Sequence, residues 1–173
     1  MNRFAEWLTK TSPSHAFRVH ESWLIPGVQS IHIIGIAIIL GSVFMIVLRI
    51  LGWAGRDQTL RQTASRFAPW LIWGLFLQLV TGIVMIVAEP VRELVNFSFW
   101  TKMAFIAVAI VLSAIFLITL PNHEQRWETL VNRRSVKSLA ILTFVIFLCI
   151  IVLGRLIAYD HIWGSWSPAT QEF

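Results

Sequence analysis

The sequence predicts an all-α membrane protein: a four-transmembrane-helix bundle with a short N-terminal interfacial helix. Three observations carry that prediction. Of 173 residues, 57% are hydrophobic and only 13% are charged, with a mean hydropathy of +0.72. Soluble domains carry about 25% charged residues, so this chain has too few to cover a water-facing surface. Four apolar stretches each supply the roughly 20 helical residues that a bilayer core demands. Lys and Arg gather in the short segments between those stretches and not along one face. A soluble enzyme, a disordered chain and a disulfide scaffold are thereby excluded. The one cysteine, Cys149, sits in an apolar run and forms neither a disulfide framework nor a cysteine metal cluster within one chain. A net charge of +5 and a pI near 10.4 would suit nucleic acid, but the dispersal of the charge excludes it. The predicted partner is the lipid bilayer.

Residues 1–25 come first. Phe4, Trp7 and Leu8 fall at i, i+3 and i+4 with Arg3, Glu6 and Lys10 around them. That pattern fits an amphipathic helix on the membrane surface, and a frayed terminus fits equally. Residues 26–160 form the transmembrane domain, with spans at about 26–50, 69–89, 100–120 and 138–159. Residues 161–173 form a tail. The spans are helices because lipid cannot satisfy the open edge of a sheet. Pro26 and Pro69 open the first and second spans, where a missing N–H costs little. Pro90 and Pro121 follow the second and third and discourage continuation. Trp53, Trp70, Trp73, Trp100, Trp163 and Trp166 cluster near span ends as an interfacial belt does. The first run begins too late, runs too long and lacks the cleavage pattern of a signal peptide. No internal repeat appears.

Charge sets the expected orientation. Arg49, Arg56, Arg61 and Arg66 flank the first loop, and Arg126, Arg133, Arg134 and Lys137 the third. The opposite side holds Arg3, Lys10, Arg18 and Arg92, with Lys102 and Arg155 at span edges. Short loops rich in positive charge stay in the cytoplasm. Both termini and the Pro90–Phe99 loop are therefore expected outside, in the periplasm if the membrane is the inner membrane of a Gram-negative bacterium.

Against that frame the polar residues become informative. His32 lies roughly 7–8 Å inside the outer end of the first span, and Arg155 roughly 6 Å from the same surface, at 1.5 Å per residue. Gln29, Glu89, Lys102, Tyr159, Asp160 and His161 lie at the same level. His20 and His15 precede the first span, and only His123 is on the other side. Ionisable residues inside spans point to a site with a nearby partner. Quieter roles are open to each: His32 as a neutral imidazole bonded across helices to Gln78 or a backbone carbonyl, Arg155 snorkelling to phosphate or pairing with Glu89 or Asp160, Lys102 as an interface anchor. Small residues repeat at four-residue spacing, Ala37 with Gly41, Gly74 with Gln78 and Gly82, and Ala109 with Ser113, where helices are expected to approach closely. Gly35, one turn from His32, leaves a gap for either the edge of a flat cofactor or a neighbouring helix.

No phosphate loop, nucleophile elbow, His-Glu-x-x-His or dinucleotide fingerprint is present. The ring of His32 is the strongest ligand candidate, since imidazole suits iron and copper and is common at membrane b-type haems. A bis-imidazole haem requires a second nitrogen at the same depth, from His20 or His161, with Arg155 and Lys102 on the propionates. Copper is the competing cargo at His32, His20 and His161, with Met85 or Met103 as soft donors. A third class is a non-catalytic anchor for another subunit.

Several segments carry a resemblance. Glu21-Ser-Trp-Leu-Ile-Pro-Gly-Val-Gln-Ser-Ile-His-Ile-Ile-Gly, Gly41, Leu48-Arg-Ile-Leu-Gly52, Ala68-Pro-Trp-Leu-Ile-Trp-Gly, Thr81-Gly, Phe99-Trp-Thr-Lys102 and Gly154-Arg-Leu-Ile-Ala-Tyr159 resemble a bacterial family of small four-helix membrane proteins of unknown function. That family looks distantly like the membrane portions of copper-resistance D proteins and b561-type cytochromes. The resemblance spans about residues 8–160 and implies a four-helix bundle. The family often has an acidic residue near the position of Val47, before Arg49; here that partner for Arg49 is missing. The resulting expectation is a membrane redox subunit that binds a b-type haem near its outer face and passes electrons between a periplasmic partner and quinone or another subunit. Copper handling and an anchoring role are the alternatives, and a homo-oligomer is compatible with each.

Overall fold

The protein, seen as a computed structural model, is described over residue 7, residues 21–94 and residues 96–158. Those residues form α1 (Glu21–Leu51), α2 (Leu60–Ala88), α3 (Pro90–Leu94), α4 (Phe97–Thr119), α5 (Glu124–Leu130) and α6 (Arg134–Ala158), with no strand among them. Four of the six, α1, α2, α4 and α6, are long and apolar enough to cross a membrane. The fold is an all-α bundle with four membrane-spanning candidates. Most of the expected surface segment before residue 21 lies outside the described residues.

Helix ends follow local chemistry. α1 stops at Gly52, whose φ of +74° suits a residue without a Cβ. The Gly52 N–H donates to the Arg49 carbonyl at 3.1 Å and the Trp53 N–H to the Leu48 carbonyl at 3.0 Å, a Schellman termination. α2 begins at Leu60, nine residues before the proline expected to open it. Thr59 accepts from the Gln62 N–H at 3.2 Å, and the Gln62 side chain accepts from the Thr59 N–H at 2.9 Å. This reciprocal capping box nucleates the helix upstream, and Pro69 then sits inside it. α1 likewise contains Pro26 within its described length. The expected loops are not bare: α3 occupies the one between α2 and α4, and α5 the one between α4 and α6.

α1 and α2 form an antiparallel pair whose register is fixed by small residues. A Cβ on Gly74 would lie 2.7 Å from Ile39 Cγ1, and one on Gly35 would lie 2.8 Å from Gln78 Nε2. Gly41 and Gly82 meet nothing within 4 Å. Of the glycines at the expected spacing, Gly74 meets the seam while Gly41 and Gly82 do not; Gly35, one turn from His32, meets it too, and Ala109 is buried as well. α6 packs on α1, and α4 packs mainly on α6 with no comparable seam to α1 or α2. The apolar core, including Val43, Val47, Ile50, Leu60, Leu120 and Phe147, occupies the half of the bundle that ends at Arg49. Outward faces carry large apolar side chains such as Trp70, Trp73, Leu79, Ile118 and Val152, which suits contact with lipid.

The Arg49 end is tied by polar bonds. Arg49 Nη2 meets Glu128 Oε2 at 3.2 Å, and its Nε donates to the Gln58 carbonyl at 2.8 Å. Glu128 Oε1 also accepts from the Leu60 N–H, at 2.5 Å, so one carboxylate serves the guanidinium and the exposed donors of a helix N-terminus. Arg49 thus has its acidic partner after all, supplied by α5 and not from beside Val47.

Candidate functional site at the His32 end

At the other end of the bundle polar groups replace the apolar core. His32 is half-buried on α1 and faces α2. Its Nδ1 lies 2.7 Å from Thr81 Oγ1. The Thr81 hydroxyl has one hydrogen, and its closest carbonyl acceptor is Leu77, at 2.7 Å. A Thr81 hydroxyl that donates to Leu77 accepts from Nδ1, a pairing that leaves the lone pair on Nε2. The Gln78 amide donates to the His32 backbone carbonyl at 2.6 Å. Gln78 therefore holds the helix that carries the imidazole, and Thr81 holds the ring. Gly35 makes this possible by leaving space for the Gln78 side chain. The gap expected beside His32 is filled by α2 and not by an open slot.

α4 and α6 bring the second group. Lys102 extends toward Gly154: a Cβ there would lie 3.5 Å from Lys102 Nζ. The ammonium is within electrostatic range of the His32 ring and of the Glu93 carboxylate. Glu93, on α3, is 6% exposed, so the short connection folds a buried acid over this end of the bundle. Asn96, 2% exposed, caps α4 by accepting from the Ser98 N–H at 2.8 Å. Its Nδ2 has no hydrogen-bond partner among the described residues.

Of the sequence-selected residues, His32 and Lys102 lie within electrostatic range of each other. Arg155 is exposed and has no hydrogen bond or ion pair among the described residues, although it follows Gly154 directly. His20 and His161, like His15, Tyr159 and Asp160, lie outside the described residues. Glu93 and Asn96 were not singled out by sequence, and Thr81 only within the resembling Thr81-Gly segment. Asn96 followed by Ser98 carried a visible capping signal, whereas Glu93 looked like an ordinary loop acid. Among the described residues no three His, Cys, Asp or Glu side chains converge as a metal cage. The arrangement offers an imidazole held by Thr81 and a lysine amine from two of the spans, with a carboxylate from the connection between α2 and α4.

No curated protein and no solved structure is significantly similar to the chain. A family described as one of unknown function, DUF6644, matches residues 16–160. With most of its length accounted for by that match, the chain, with its four helices long and apolar enough to cross a membrane, belongs to this family of unknown function.

Proposed function

We propose that the chain is a membrane electron-transfer subunit that holds a b-type haem at the His32 end. The observation that supports it is the Thr81–His32 bond, which fixes the ring and, with Nδ1 as donor, presents Nε2 in the form that ligates iron. His32 would be one of the residues that hold the haem, and His20 or His161 the other. Lys102 answers the negative charge of a propionate, and Glu93 limits the surplus positive charge there. Arg155, turned outward, anchors to lipid phosphate. When bound, haem supplies one-electron chemistry; the chain's own residues orient the imidazole and balance charge. The haem end faces the periplasm of a bacterial inner membrane, with both termini on that side, where a periplasmic redox partner exchanges electrons with it.

The test is a visible spectrum of the detergent-purified protein. A Soret band with resolved reduced α and β bands is expected, and His32→Ala should abolish it. A colourless protein with stoichiometric copper would replace haem by copper. One with neither would leave an anchoring role.

A further inference from the structure

We infer that a lipid-soluble quinone binds in an apolar cleft in the Arg49 half of the bundle, on the opposite side of the membrane from His32. The cleft has a volume of about 120 Å³ and lies between α1, α4 and α6 with α5 across one end. It exists because α4 leans on α6 without a matching seam to α1. Val43, Val47, Phe116, Ala140 and Trp127 form much of its wall. Two hydroxyls, Ser113 and Thr143, also line it.

Those two hydroxyls differ. Thr143 donates to the Leu139 carbonyl at 2.9 Å, as Ser42 does to Ile38 and Thr81 to Leu77, each at i−4. Ser113 makes no such bond and has no other hydrogen-bond partner among the described residues. Its O–H is thus a single available donor in an otherwise apolar wall. Water requires two to four polar partners and is poorly served there. Ser113 stands six residues before the end of α4 at Thr119, about 9 Å along the helix. At that depth a phospholipid presents only methylene groups, because its oxygens stay at the interface. A quinone carries its carbonyls into the hydrocarbon on a flat ring, with its isoprenoid tail in the bilayer, and the cleft's largely aliphatic wall includes the rings of Phe116 and Trp127. Binding of the ring stands on the cleft alone; any redox use of it rests on the function proposed above.

The test uses the full chain purified in detergent and a decyl-tailed benzoquinone as probe. Saturable binding at one probe per chain is expected. Ser113→Ala should weaken it about fivefold, the worth of one hydrogen bond, with the melting temperature unchanged. Ala140→Phe should abolish it by filling the cleft. His32→Ala, which tests the haem, should leave quinone binding intact, so the two readings fail separately. Absence of saturable binding, equal affinity in Ser113→Ala, or equal displacement by a plain phospholipid would overturn the proposal.

Discussion

At the scale of single residues, depth was readable from sequence and direction was not. Counting 1.5 Å per residue put His32, Lys102 and Arg155 at one level. Which way each points depends on helix rotation, and α1 is turned by Gly35 and Gln78, which bring His32 against Thr81, a contact 49 positions apart in the chain. Arg155 lies at the expected level but is exposed, whereas its neighbour Gly154 faces Lys102. Thr81→Val keeps the shape and removes the acceptor for Nδ1. It should cost about 0.6–1.7 kcal/mol in a membrane setting and, with haem bound, lower its affinity roughly 10–100-fold. A haem titration followed at the Soret band checks this, with Thr81→Ser restoring most of the affinity. Gly35→Ala should displace the Gln78 amide, and its effect should shrink when Gln78 is also shortened to Ala, as a double-mutant cycle of thermal stability would show.

At the scale of elements, the spans were plain in the hydropathy, but their ends were set by signals weaker than proline. The Thr59–Gln62 pair outcompetes Pro69 as a start because it satisfies two helix-end donors, while Pro69 forfeits only one hydrogen bond near the membrane edge. Small-residue spacing marked three glycines, Gly41, Gly74 and Gly82, of which Gly74 alone sits at the helix seam. Gly74→Ala should therefore destabilise the protein by about 1–3 kcal/mol by pressing on Ile39 and the Gly35 carbonyl. Gly82→Ala, which meets open space, should be neutral or slightly stabilising. Resistance to unfolding in a mixed detergent series separates the two. α5 offers a parallel contrast. Glu128→Gln weakens the bonds to both Arg49 and Leu60 and should cost about 1–2 kcal/mol. Glu124→Gln loosens only the exposed contact with Arg61 and should cost less than about 0.5 kcal/mol in the same assay.

At the scale of the whole molecule, charge bias predicts sidedness. In a Cys149→Ser background, a cysteine at position 123 should react with a membrane-impermeant maleimide only when the cytoplasmic face is accessible, and one at position 97 only from the other face; the reverse pattern would invert the orientation. The count of spans and the helical class followed from composition because lipid leaves so few alternatives. The pairing of the helices did not, since the outward faces are as apolar as the seams. Unequal packing between the helices also has a consequence for biogenesis. Since α1 and α2 hold each other through their own close seam, the first hairpin can settle in the bilayer while the rest is still being synthesised. The later pair then docks on it through α6, with α4 as the last and most loosely attached piece. A ribosome-released fragment ending near residue 90 should accordingly persist in the membrane as a folded two-helix intermediate, detectable by its protease protection.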